Sequence, residues 1–206
     1  GAAVAIPIGV TSAVKQDSPV DHLARFSATL AIAAPDFWIG TIVVVFLGLW
    51  FHYQVPVGYV SPFHDPWGNA QRFFFPALIT GFRYSAVSMR LTRTAVLDVL
   101  RQDYVRTAEA KGLAYRVVIL RHALRNALVP VITVMGGQLS FVLGGTVIME
   151  VLFTMPGVGL LTLSSILQRD YSQVQTDVLL LSLVVVLGNL LTDLSYGWLD
   201  PRISYS

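Results

Sequence analysis

The chain has 206 residues, of which 54% are hydrophobic and 13% are charged, and its formal net charge is +2. Soluble domains average about 25% charged residues, so this composition predicts a polytopic membrane protein and argues against a broadly basic nucleic-acid surface. The sequence contains no cysteine, which excludes disulfides, thiolate metal sites and cysteine nucleophiles within it.

Five segments have the apolar character of membrane spans, which need about 20 mainly apolar residues. In chain order they lie at about residues 1–14, 30–51, 73–94, 127–152 and 178–199. Lipid offers no hydrogen-bond partner to exposed backbone groups, so each segment is predicted to be helical. The first is short and starts at Gly1 without Met or a basic signal region, and we expect it to be the truncated end of a membrane helix.

The connections between these segments alternate in charge. Eight of the 14 Lys and Arg residues lie in or just before the loop at about residues 97–125, whereas the loops at 52–72 and 153–176 hold one Arg each. By the positive-inside rule, the basic loop and the connection at 15–25 are predicted to be cytoplasmic. The other two loops are then predicted to be on the outside.

The basic loop also carries a helical apolar pattern. Its apolar residues follow the spacing i, i+4, i+7 and i+11 at Leu113, Val117, Leu120 and Leu124. Because Gly112 interrupts the run, we expect two short helices that meet at this residue. Ala108 and Gly112 are small and four apart, which would let another surface approach closely. The alternative is a plain solvated loop that only sets the topology.

Several ionisable or small residues fall inside the predicted spans. Ionisable groups in lipid are costly and mark either a water-filled path or buried ion pairs, and both interpretations stay open for Arg83, Glu150, Asp177 and Asp193. Small residues four apart let helices approach closely, within the chain or between subunits, as at Gly136, Ser140 and Gly144.

The sequence offers little chemistry of its own. It contains no Gly-x-x-x-x-Gly-Lys-Ser/Thr loop for ATP, its four histidines are scattered, and its membrane serines have no nearby histidine. We therefore expect no catalytic residues, no metal site and no cofactor in this chain.

Five motifs occur in the order APDFWIG, DYVRTAEAKGL with LRHALRNALVPVIT, GGTVIMEVLFTMPGVG, RDYSQVQ and NLLTDLSYGWLDPRI. Together they resemble the permeases of ABC importers, specifically the dipeptide/oligopeptide permease family. The resemblance implies an all-α polytopic transmembrane helix bundle of the type I importer kind over residues 1–206. Family members begin with a further helix and a large external region, which are absent from this sequence.

The resemblance also implies that the basic loop is a coupling helix that seats on an ATP-hydrolysing subunit. The residues that it assigns to this contact are Tyr104, Arg106, Thr107, Ala108, Glu109, Ala110, Lys111, Gly112 and Leu113. Where the broader importer motif has Glu-Ala-Ala, this chain has Arg106, Thr107 and Ala108, and it has Arg125 at a later Pro position. Both departures resemble the peptide subfamily.

The implied function is a permease subunit that moves dipeptides or oligopeptides across the cytoplasmic (inner) membrane of a prokaryote by alternating access. Its expected partners are a second homologous permease, two subunits that bind ATP and Mg, an external substrate-binding protein, the peptide and lipid, but no nucleic acid. A nickel or metal-chelate permease is the first alternative. A membrane scaffold or receptor that transports nothing is the second.

Overall fold

A computed structural model describes residues 1–143 and 146–199, and the regular elements in these ranges are helices. In chain order the helices are α1 (Ala2–Val14), α2 (Pro19–Ala33), α3 (Asp36–Phe51), α4 (Pro66–Leu100), α5 (Asp103–Ala110), α6 (Tyr115–Val117), α7 (Leu124–Leu143), α8 (Val147–Leu152), α9 (Val158–Gln168) and α10 (Tyr171–Leu199). A π-helical turn, Val118–Ala123, connects α6 to α7 without a break. The all-α fold class is confirmed.

The predicted span at residues 30–51 is not one helix. Helix α2 ends at Ala33 and α3 begins at Asp36, with Pro35 at the N-cap of α3 in an extended conformation. Proline has no backbone N–H and disfavours helical geometry in the residue before it. The prediction of a continuous helix across Pro35 is therefore wrong.

The other boundaries also shift. Helix α4 extends beyond residues 73–94 at both ends, and α10 begins before residue 178. The predicted span at 127–152 contains the end of α7 and all of α8, with residues 144 and 145 outside the described part of the chain. The loop at 153–176 contains α9.

By length and composition, two helical stretches of the described chain are suited to crossing a membrane, Val118–Leu139 and Tyr171–Thr192. A third is added if α2 and α3 together form one interrupted span. Helix α1 is too short for this criterion at 13 residues. Helix α4 is long enough, but three arginines lie in its second half, at Arg83, Arg90 and Arg93.

Contacts divide the described chain into two compact units. The first contains Gly1–Ala33, Arg83–Gln138 and the part of α10 from Leu190. The second contains Ala34–Phe82 and Leu139–Asn189. All the predicted cytoplasmic connections described by the structure belong to the first unit, and both predicted outer loops belong to the second.

Each unit has its own apolar core. The first unit buries mainly small residues, which let helices pack closely, at Ala5, Ala13, Ala24, Ala28, Ala31, Ala86, Ala95 and Ala127. The second unit buries Val55 from the first outer loop against Ile79, Met149 and Phe153. The Gly58 N–H also donates to the Phe153 carbonyl at 3.0 Å, so the two predicted outer loops touch each other.

The cysteine-free sequence allows a direct test of this topology. Phe63 is 97% exposed in the first outer loop, and Thr107 is exposed in the basic loop. We expect a membrane-impermeant maleimide, added to intact cells, to label Phe63→Cys and to label Thr107→Cys only after the membrane is opened. Labelling of both or of neither in intact cells would contradict the predicted orientation.

Candidate coupling loop and its supports

Helix α5 has one face buried against its own chain. Val105 and Ala108, three positions apart, are 1% and 7% exposed, and they form an apolar cluster with the fully buried Val118 of the π-helical turn. Val99 and Leu100 at the end of α4 pack against the same cluster. Ala108 therefore helps to hold α5 in place, and it does not belong to the small-residue surface that we expected another protein to approach.

The turn after α5 requires a glycine. Gly112 has a φ of +76°, in the left-handed region that side chains disfavour, and the Leu113 N–H donates to the Ala108 carbonyl at 3.4 Å. This is the Schellman arrangement that ends many helices. The predicted break at Gly112 is thus present, but the second arm is no short helix, because α6 continues through the π-helical turn into α7.

The opposite face of the loop is exposed. The exposed residues among the predicted contact positions are Tyr104, Arg106, Thr107, Ala110, Lys111, Gly112 and Leu113. Arg106 forms an ion pair with Asp103 at 3.7 Å, and such exposed pairs contribute little to stability. The side chain of Glu109 lies outside the described residues. The outer face therefore presents two cations, Arg106 and Lys111, among small and partly apolar residues.

One hydrogen bond joins the beginning of α5 to the beginning of α7. Asn126 Nδ2 donates to Tyr104 Oη at 2.8 Å, across a sequence separation of 22. The family pattern pointed to Tyr104 but not to Asn126, because no local spacing connects two residues so far apart.

A buried ion pair ties the first turn of α2 to α4. Arg93 Nε and Nη2 each donate to one carboxylate oxygen of Asp21 at 2.7 Å, and Asp21 is fully buried. The Ser12 hydroxyl and the Asp17 N–H also donate to this carboxylate, at 2.5 and 3.0 Å. Since charge-assisted, bidentate pairs are the strong ones, this site fixes the part of α4 that leads into the coupling loop.

This pair does not follow from the sequence pattern, because 72 residues separate Asp21 from Arg93 and no motif connects them. The one available signal was the polarity of residues 15–25, which places the Asp21 carboxylate beside the short, apolar helix α1.

Glu150 caps helix α9. Its carboxylate accepts a hydrogen bond from the Leu160 N–H at 2.7 Å, near the start of α9, where the N-cap residue Gly157 has no side chain for this purpose. A carboxylate also interacts favourably with the helix dipole there. A Cβ atom at Gly157 would collide with this carboxylate. Glu150 therefore acts as a cap on a neighbouring helix, where we had expected a path-lining group or an ion pair.

The other ionisable residues predicted to lie within the membrane differ in their surroundings. Asp177 is 4% exposed and accepts hydrogen bonds from Gln173 Nε2 at 2.7 Å and from Thr162 Oγ1 at 3.2 Å, both neutral donors. Arg83 is exposed on α4, and both a place along the path and an ion pair stay predictions for this residue. The side chain of Asp193 lies outside the described residues.

The small residues of α7 include one close helix contact. A Cβ atom at Gly136 would collide with the Thr192 side chain of α10, within the first unit. Gly136 therefore serves packing within the chain, the first of the two roles that we had considered. Gly144 and the side chain of Ser140 lie outside the described residues.

Comparison with known proteins gives one family. Residues 5–205 match the model of the family described as "binding-protein-dependent transport system inner membrane component". The chain is 38% identical over 208 residues to the oligopeptide transport system permease protein AppB of Bacillus subtilis, covering 98% of this chain and 65% of that protein.

Two further relatives show the same level of similarity. The chain is 38% identical over 226 residues to the dipeptide transport system permease protein DppB of Escherichia coli, covering 98% of this chain and 67% of DppB. It is also 38% identical over 198 residues to the glutathione transport system permease protein GsiC of Pectobacterium atrosepticum, covering 96% and 62% of the two chains. The chain thus spans about two thirds of the length of these relatives.

The buried ion pair gives a stability prediction. Asp21→Asn removes the charge and leaves Arg93 unpaired, which should lower the free energy of unfolding by about 3 kcal/mol. This is the lower end of the usual range, because the Arg93 side chain retains 16% exposure. Equilibrium denaturation in mixed micelles measures the change. Arg25→Ala is the control, since Arg25 is half-exposed and 4.0 Å from Asp21, and a loss as large as that of Asp21→Asn would contradict our assignment.

The cap at α9 gives a second prediction. Gly157→Ala should displace the Glu150 carboxylate from the Leu160 N–H and cost about 0.5–2 kcal/mol in unfolding free energy, the usual value of an N-cap. Gly157 has a φ of −115°, which alanine adopts freely, so the cost would be steric. The unmodified protein is the reference, and unchanged stability of Gly157→Ala would show that Glu150 does not cap α9.

Proposed function

Because the chain belongs to the family of binding-protein-dependent transport system inner membrane components, we propose that it is the permease subunit of an ATP-driven importer for dipeptides or oligopeptides. The names of its relatives support this cargo, since they refer to oligopeptides, dipeptides and glutathione, a tripeptide. None of these three names refers to a nickel chelate.

We place the protein in the cytoplasmic (inner) membrane of a prokaryote, with the basic loop in the cytoplasm. The concentration of cations in this loop supports the orientation.

The basic loop is the docking element for an ATP-binding subunit in this proposal. The observation that carries it is that only one face of α5 is buried, with Val105 and Ala108 buried by the chain itself and Arg106, Thr107 and Ala110 exposed. A helix with one face buried against its own chain and the other face exposed suits contact with a partner. ATP and Mg bind to that partner, and this chain contributes no catalytic group.

The transport cycle then follows from the docking. ATP binding brings two partner subunits together, and their motion displaces α5 and shifts the population between outward-open and inward-open states. A second, homologous permease completes the path, and an external binding protein delivers the peptide. Arg83, exposed on α4, is our candidate for lining that path and meeting a peptide carboxylate.

Substitutions at Gly112 test this function. We expect ATP hydrolysis by the reconstituted complex to rise when binding protein loaded with peptide is added, and peptide uptake to follow. Gly112→Trp should abolish uptake by blocking close approach of the partner, since the position is exposed and open. The assay measures uptake and ATP hydrolysis in the same proteoliposomes.

A control separates docking from turn strain. Gly112→Asn retains the left-handed turn, because asparagine tolerates positive φ better than other residues with side chains, and it should keep most of the uptake. Normal uptake by Gly112→Trp would contradict the docking position. Absence of any stimulated ATP hydrolysis in the unmodified complex, with either peptide or nickel chelate, would contradict the function itself.

A further inference from the structure

The loop and the start of α7 form a hairpin that is closed at both ends. Gly112 and the Leu113–Ala108 hydrogen bond close it at the turn. The hydrogen bond from Asn126 to Tyr104 closes it at the other end. The apolar cluster around Val118 lies between these two closures along the chain.

Three separated contacts restrain a helix in ways that one contact does not. An apolar cluster alone lets two helices slide or rotate, because dispersion and burial are not directional. A hydrogen bond has a preferred length and angle, so the bond at 2.8 Å fixes the register of α5 against α7. The link from α4 to α5 is the two residues Arg101 and Gln102, and Val99 and Leu100 at the end of α4 contact the apolar cluster without a side-chain hydrogen bond to α5 among the described contacts.

From this geometry we infer that the Tyr104–Asn126 hydrogen bond is a mechanical latch that makes α5 and the start of α7 move as one body. The inference rests on the proposed function, because it names the contact through which a displaced α5 would move a membrane helix. Tyr104 is then a positioning residue, whose hydroxyl acts within the chain, and the docking surface proper consists of Arg106, Thr107, Ala110, Lys111 and Gly112.

The test separates transmission from docking. Tyr104→Phe removes only the hydroxyl, so the affinity of the ATP-binding subunit for the permease pair should stay unchanged. The number of peptides taken up per ATP hydrolysed should fall by about two- to ten-fold, the factor that corresponds to one net hydrogen bond. Tyr115→Phe is the matched control, since Tyr115 is 50% exposed at the other arm of the hairpin and should leave the ratio unchanged.

Changes at Asn126 complete the test. Asn126→Leu should also lower the ratio, and Tyr104→Phe should add no further loss in the Asn126→Leu background, as for two partners of one bond. Unlike Asn126→Leu, Asn126→Asp should retain most of the coupling, because its carboxylate can accept a hydrogen bond from the Tyr104 hydroxyl.

The outcomes distinguish the latch from the function. Two results for Tyr104→Phe would contradict the latch: an unchanged ratio of peptides to ATP, or a weaker affinity for the ATP-binding subunit with an unchanged ratio. In both cases, peptide-stimulated ATP hydrolysis by the unmodified complex would still support the importer. Additive losses in the double variant would overturn it too. If the unmodified complex shows no peptide-stimulated ATP hydrolysis, the proposed function fails, and the latch fails with it.

Discussion

Helix α5 keeps its position because one of its faces is buried against its own chain. A polar loop of this length would otherwise gain little from ordering, because conformational entropy opposes it. Val105 and Ala108 gain a buried contact with Val118, and this leaves the cationic face in one defined orientation. The same contact gives the loop both a fixed shape and an open side, which a partner subunit needs.

Polar groups elsewhere in the chain are used to hold helices in place. Asp21 and Arg93 satisfy each other in a bidentate pair, Glu150 satisfies the start of α9, and Asp177 accepts hydrogen bonds from neutral side chains. In each case a carboxylate connects elements that are separate in the sequence. The motif that ends in MPGVG is explained in this way, since its glutamate caps the helix and its glycine at 157 leaves room for the cap.

Much of the fold followed from composition, apolar length and the distribution of cations, and the break at Gly112 followed from the pattern around it. The interruption at Pro35 was missed because the apolar run continues through the proline. The partners of Tyr104 and Asp21 were missed because both contacts join distant parts of the chain. Sequence periodicity relates only residues that are close together in the chain. The cap by Glu150 was missed for a related reason. A carboxylate in an apolar run indicates an energetic cost of burial, but it does not indicate which group binds the carboxylate.

The central claim is that the exposed face of α5 touches an ATP-binding subunit. The most direct measurement is crosslinking from Ala110→Cys, an exposed position at the end of α5, in the complete transporter in native membranes. The account predicts a crosslink to the ATP-binding subunit, with none from Phe63→Cys in the outer loop. A crosslink from Ala110→Cys to the external binding protein, or none to the ATP-binding subunit in a complex that transports peptide, would contradict it.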